Sequence, residues 1–206
     1  MSEDEKHASR HLRITEPSPW VRRFAPLIPA QGLVLDLACG GGRHTGLLLD
    51  LGYRVVAVDR DTAAIGERLG GRDGSEIVTA DLEDGVPPFG AGGALSGRRF
   101  DGIVVVNYLH RPLMAELAAA LKPGGVLIYE TFGRGNEAFS KPRNPDHLLA
   151  RGELLNLCRD GFDVVAFEHG IERTGELPGV KSRICAVRTG TDDSPRELWP
   201  GETAVS

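Results

Sequence analysis

Apolar positions in this chain gather in short unbroken runs, and the segments between the runs carry helical spacing. Leu33–Cys39, Tyr53–Asp59, Glu76–Ala80, Phe100–Tyr108 and Val126–Glu130 are predicted strands. Ile103–Val106 is apolar throughout, the pattern of a strand covered on both faces. Helices are predicted over Trp20–Phe24, after Pro17 and Pro19, and over Arg43–Leu51, where Gly52 stops the pattern. A third is capped by Asp61 and runs to Leu69. A fourth begins at Pro112 and ends at Leu121, before Lys122-Pro123-Gly124-Gly125, and a fifth spans Leu148–Arg159. Asp84–Arg99, with Pro87-Pro88 and repeated glycines, and Gly133–Pro145 are predicted irregular. Phe162–Glu168 and Arg183–Arg188 close the pattern as two strands with no helix between them. Gly175, Pro178 and Gly179 in the connection favour an antiparallel hairpin. Strands alternating with helices predict an α/β fold with a doubly wound, mostly parallel sheet.

Length narrows this to a single domain, since 206 residues bury one good core and not two. We divide the chain into a polar arm at 1–17, a domain at 18–189 and a loose tail at 190–206. No apolar run approaches the ~20 residues a bilayer span needs, so no membrane partner is expected. The polar start lacks an apolar leader core, which makes a cytoplasmic location the expectation. A net charge of −5 opposes general attraction to nucleic acid, whose affinity comes largely from phosphate neutralisation. Cys39, Cys158 and Cys185 show no metal-ligand spacing and are read as reduced thiols, with no metal site expected.

The chemistry concentrates in Val34-Leu35-Asp36-Leu37-Ala38-Cys39-Gly40-Gly41-Gly42-Arg43-His44. A strand that breaks into glycines and then starts a helix is the arrangement that holds a nucleotide-like cofactor at the end of a parallel sheet. Asp59 ends the next strand, roughly 20 residues on, where a carboxylate can accept hydrogen bonds from a ribose diol. Asp81 follows the third strand. A dinucleotide fingerprint would continue Gly40-x-Gly42-x-x with a small residue, and Thr45 stands there instead. Asp36 beneath the turn also suits a cationic ligand with an amino acid tail better than a pyrophosphate. Arg60 keeps an NADP-dependent reductase as the competing reading, because an arginine after the ribose carboxylate can meet a 2′-phosphate.

These segments, together with Thr79–Leu82, Phe100–His110 and Leu121–Thr131, resemble the class I S-adenosylmethionine-dependent methyltransferases over roughly residues 18–188. The loop Glu130–Leu155, with Pro142-Arg143-Asn144-Pro145, looks most similar to the tellurite-resistance type branch. The resemblance implies a seven-stranded sheet of order 3-2-1-4-5-7-6 with the last strand antiparallel. It implies S-adenosylmethionine as cofactor, with Asp36, Ala38, Gly40 and Gly42 along its methionine half. Asp59 would take the ribose diol, Arg60, Asp81 and Leu82 the adenine, and Asn107 the sulfonium region. Ala38 departs from the family's usual glycine, and Gly85–Arg99 replaces a clear helix, leaving a side of the sheet for a dimer partner to cover. Monomer and homodimer both stay open, as does a cofactor-binding module without catalysis.

For the acceptor, Asn107-Tyr108-Leu109-His110-Arg111 emerges at the crevice, and His110 is the side chain suited to base work near neutrality, with Tyr108 beside it. Arg134, Lys141, Arg143 and His147 in the loop after strand five, with Arg111, favour a small anionic acceptor molecule, because guanidinium matches carboxylates and oxyanions.

Overall fold

The computed structural model describes residues 14–173 and 178–190. The arm at 1–13, Gly175 in the hairpin connection and the tail from 191 lie outside the described residues. Seven strands form one sheet of order β3-β2-β1-β4-β5-β7-β6. They are β1 Leu33–Leu37, β2 Arg54–Asp59, β3 Ser75–Thr79, β4 Phe100–Val106, β5 Leu121–Phe132, β6 Phe162–Glu172 and β7 Gly179–Arg188. β1 to β5 run parallel, and β7 runs antiparallel to both its neighbours. The topology and the final hairpin are as the sequence predicts.

Side chains alternate across the sheet, so each central strand feeds two cores. Val34, Val55, Val104 and Val126 face one layer, built from α1 (Pro19–Phe24), α2 (Arg43–Asp50) and α3 (Ala63–Leu69). Leu35, Val56, Ile103 and Leu127 face the other, where α4 (Arg111–Ala120) and α5 (Glu153–Leu157) pack. Beside β3 the second face is covered by the chain's own turns. The turns between β3 and β4 fold over it, and Leu95 is fully buried in the same cluster as Leu82.

Two expectations shift. The helix predicted over Leu148–Arg159 begins only at Glu153: Leu149 instead bridges Gly133, and Gly152 takes a left-handed turn with φ +79°. The strands at the far end are longer than their apolar runs, because each is held by an antiparallel ladder with β7 rather than by burial alone. β6 forms the outer rim, with Val164, Val165 and Ile171 exposed and a register shift between Val164 and Ala166.

Candidate functional site

The carboxyl ends of β1, β2, β4 and β5, with the segment after β3, surround a cavity of about 700 Å³, within the usual range for a small-molecule site. Its sheet-side walls are Ala38, Cys39, Gly40 and Gly41 after β1, Asp59 and Arg60 at β2, Ala80 to Glu83 after β3, and Val106 to Leu109 after β4. Arg43 and His44 join them from the start of α2.

The glycine turn presents bare backbone. Gly40 has φ +52°, and a Cβ there would meet nothing within 4 Å, so the space over it is open for a ligand. Its N–H donates to Asp59 Oδ2 at 2.8 Å, while Asp61 N–H donates to Oδ1 at 3.1 Å. The carboxylate is thereby oriented and still has lone pairs for a diol. Ala38 sits at φ +54°, where a methyl group is strained but fits.

Asp36 and Gly42 do not line the cavity. Asp36 is 1% exposed, buried beneath the turn, and accepts a 2.6 Å hydrogen bond from Thr45 Oγ1. Burial pushes its carboxyl up to about 6, and the Thr45 bond works against that shift. From beneath the turn it ties α2 to β1. Gly42 is a packing glycine. A Cβ there would fall 2.6 Å from Ile65 Cγ1, so its absence lets α3 close against the turn.

On the other wall Asn107 turns sharply at the end of β4, with φ +58° and its N–H donating to Glu130 O at 2.8 Å. Tyr108 is half-buried, and burial beside Glu83 pushes its phenol well above the ordinary range. His110 lies outside the cavity lining, with Nδ1 3.8 Å from Glu83 Oε2. Arg111 is also outside. Its guanidinium grips Glu153 at 2.7 Å and the carbonyls of Asp146 and Leu148, which staples the loop after β5 to α4. Arg134 and Arg143 are exposed and do not line the cavity; Pro142 and His147 reach it instead. The basic acceptor pocket expected from the loop is therefore not assembled. The loop's inner anchor is Asn136, fully buried, which donates to the Ser140 and Pro142 carbonyls and accepts from Val180 N–H.

Several site residues gave no sequence signal. His44 is 3% exposed and accepts the Ser18 N–H at its Nε2, 3.1 Å away, and burial lowers its pKa to about 3. Ser18 Oγ donates to Glu130 Oε2 at 2.5 Å, and Arg43 holds the Glu16 carbonyl, so residues 14–18 lie along the cavity rim with Ile14 in the lining. Lys181, 5% exposed, donates to Asn107 Oδ1 at 2.9 Å and stacks 3.5 Å from the Phe132 ring centroid. Its link to Asn107 spans 74 positions, which no local pattern reveals.

Comparison with known proteins decides what this cavity belongs to. Residues 9–165 match the family described as a methyltransferase domain. The chain belongs to that family. As a methyltransferase of the S-adenosylmethionine-dependent class I kind, it shares its fold with solved structures of low identity. One is the Burkholderia thailandensis 1,6-didemethyltoxoflavin N1-methyltransferase, solved with its substrate and S-adenosylhomocysteine. That protein is 20% identical, with 91% of this chain and 82% of that one covered and a TM-score of 0.57. The glycopeptide N-methyltransferase MtfA, complexed with S-adenosylhomocysteine, is 25% identical over 85% and 91%, at TM-score 0.56. TehB from Haemophilus influenzae is 20% identical over 90% and 67%, at TM-score 0.64. No curated protein sequence matches the chain.

Proposed function

We propose that the cavity takes S-adenosylmethionine along the β1–β3 side and a small, largely uncharged acceptor along the β4–β5 side. The observation that carries this is the pairing of open backbone at Gly40 with the strand-end carboxylate of Asp59, joined by one hydrogen bond and facing one cavity. Asp59 would receive the ribose diol. Arg60, Asp81 and Leu82 flank the adenine, and Ala38 with Gly40 and Gly41 runs under the amino acid tail.

When bound, the cofactor supplies a methyl group on a positively charged sulfur, already activated for attack. The protein's part is alignment and exclusion of water, and orientation alone removes much of the barrier. Leu109, Phe132 and Pro142 give the acceptor side an apolar lining, with Asn107, Thr131 and His147 as its polar side chains. Arg111, Arg134 and Arg143 lie away from this side, which favours a weakly polar acceptor over an anion there, with Arg43 and Arg60 on the cofactor side. Burial beside Glu83 raises the pKa of the Tyr108 phenol and disfavours it as a base. Where the acceptor must shed a proton, His147 is the imidazole on the acceptor side of the lining, in place of His110.

Calorimetry tests the cofactor: S-adenosylhomocysteine should bind and NADPH should not. A screen of small metabolites for label from methyl-tritiated S-adenosylmethionine tests the acceptor. Incorporation confined to strongly anionic compounds would overturn the acceptor reading.

A further inference from the structure

Lys181 is a burial that the fold does not require. It lies on β7 directly across from Phe132 on β5, and its ammonium sits over the ring of that cavity residue. Lysine is among the residues least often buried, because removing an ammonium from water costs several kcal/mol. Its ammonium donates to Asn107, the polar residue at the tip of β4 that lines the cavity from the opposite strand end. An ammonium only donates, so the atom it meets must be the carboxamide oxygen, and the orientation of the amide is decided by chemistry. Nδ2 is then the polar atom left to Asn107, and it finds no acceptor among the described residues.

We propose that Lys181 is a positioning residue of the methyl-transfer site. It holds Asn107 with the carboxamide N–H groups toward the cavity, so the tip of β4 offers a donor, backed by positive charge, to an acceptor molecule's oxygen or nitrogen lone pair. The proposal rests on the reading that this cavity takes S-adenosylmethionine. It also changes what Asn107 does there. A carboxamide oxygen would stabilise a sulfonium, but that oxygen is directed at the Lys181 ammonium, which leaves the positive end of the amide dipole for the ligand. The geometry therefore favours the transferred state, in which sulfur has lost its charge, over the cationic donor.

Lys181 shares its surroundings with Glu130 on β5, Glu168, His169 and Glu172 on β6, Arg183 on β7 and Arg43 on α2. Burial lowers its pKa to about 8, with Glu130 and Glu172 opposing that shift. Its charge accordingly falls away on the alkaline side of neutrality.

S-adenosylmethionine and S-adenosylhomocysteine differ by one methyl group and one permanent charge at sulfur, so the ratio of their affinities reads the electrostatics at that atom without knowledge of the acceptor. Lys181→Met keeps the stem and removes both charge and donor. We expect the homocysteine product to bind with little change, while S-adenosylmethionine gains about fivefold or more relative to it. Lys181→Gln, which keeps an N–H donor for Asn107, should shift the ratio by less. In the wild type the ratio should move the same way as pH rises through about 8, and in Lys181→Met that pH response should vanish. A ratio unchanged by both variants and by pH overturns the proposal. Equal weakening of both ligands overturns it too, because that is what a purely structural lysine would produce. Failure of the wild type to bind either compound overturns the cofactor reading itself, a result distinct from the other two.

Discussion

The two sides of the cavity were built by different means. Toward β1–β3, the groups that face the ligand stand at strand ends and in one glycine turn, and their support comes from neighbours in the same βαβ units, as Gly40 N–H to Asp59 shows. Toward β4–β7, the wall is tied together from distant positions: Asn107 to Lys181, Arg111 to Glu153, Asn136 to Val180. The first side is a property of local backbone shape. The second exists only once the sheet has closed.

The largest effect we expect sharpens this contrast through pH. His44 and Asp36, both buried near the turn, respond oppositely to acid. The His44 pKa, lowered to about 3, means the unfolded chain binds the extra proton, so its contribution is present above its unfolded value of 6.5 and is lost as pH falls toward 3. The Asp36 pKa, raised to about 6, means the native state binds the extra proton, so its contribution is full below 3.8 and is lost as pH rises through 6. Each is worth on the order of 3 kcal/mol between neutrality and about pH 4, with opposite sign. Urea unfolding should therefore show His44→Gln gaining stability relative to wild type on acidification by about that amount, and Asp36→Asn losing it. Parallel pH curves for both variants and wild type would break the account.

Next in size is Asp59→Ala, expected to weaken S-adenosylhomocysteine by about 100-fold, since two hydrogen bonds to a carboxylate and the anchor of Gly40 are lost together. Calorimetry checks it, and a change under threefold would remove Asp59 from the site. On the far side, Arg111→Ala releases the loop after β5 from α4. We expect about 1 kcal/mol of stability lost, discounted for its partial exposure, and faster proteolysis within 133–149. Smallest is Arg134→Ala with Arg143→Ala. The double variant should unfold within about 0.5 kcal/mol of wild type and bind cofactor unchanged, as expected of exposed side chains away from the cavity.

The same contrast explains what could be read from residues alone. The alternation of strands and helices, the glycine turn and Asp59 at the end of β2 have local signatures, while the sheet order followed from the resemblance of several segments taken in sequence. The burial of Asp36 was not legible, because the residue that broke the dinucleotide fingerprint, Thr45, is the hydroxyl that donates to its carboxylate. The placement of Arg111, Arg134 and Arg143 outside the cavity lining was not legible, because sequence shows a charge but not its partner, and a few residues of loop path decide what a guanidinium meets. Lys181 and His44 gave no signal, since a single lysine in a strand or a histidine at a helix start is ordinarily solvated.

The rim formed by β6 bears on how the protein behaves at high concentration. Its exposed valines and unpaired outer backbone invite a further strand, which is the usual route to fibrous association. The break in register at Val165 interrupts that template, and Glu168 and Glu172, neutralised by Arg183 within the chain, would crowd an incoming copy with further carboxylates. If the irregular register and these two carboxylates protect the rim, light scattering on Glu168→Gln with Glu172→Gln should register growth of large particles.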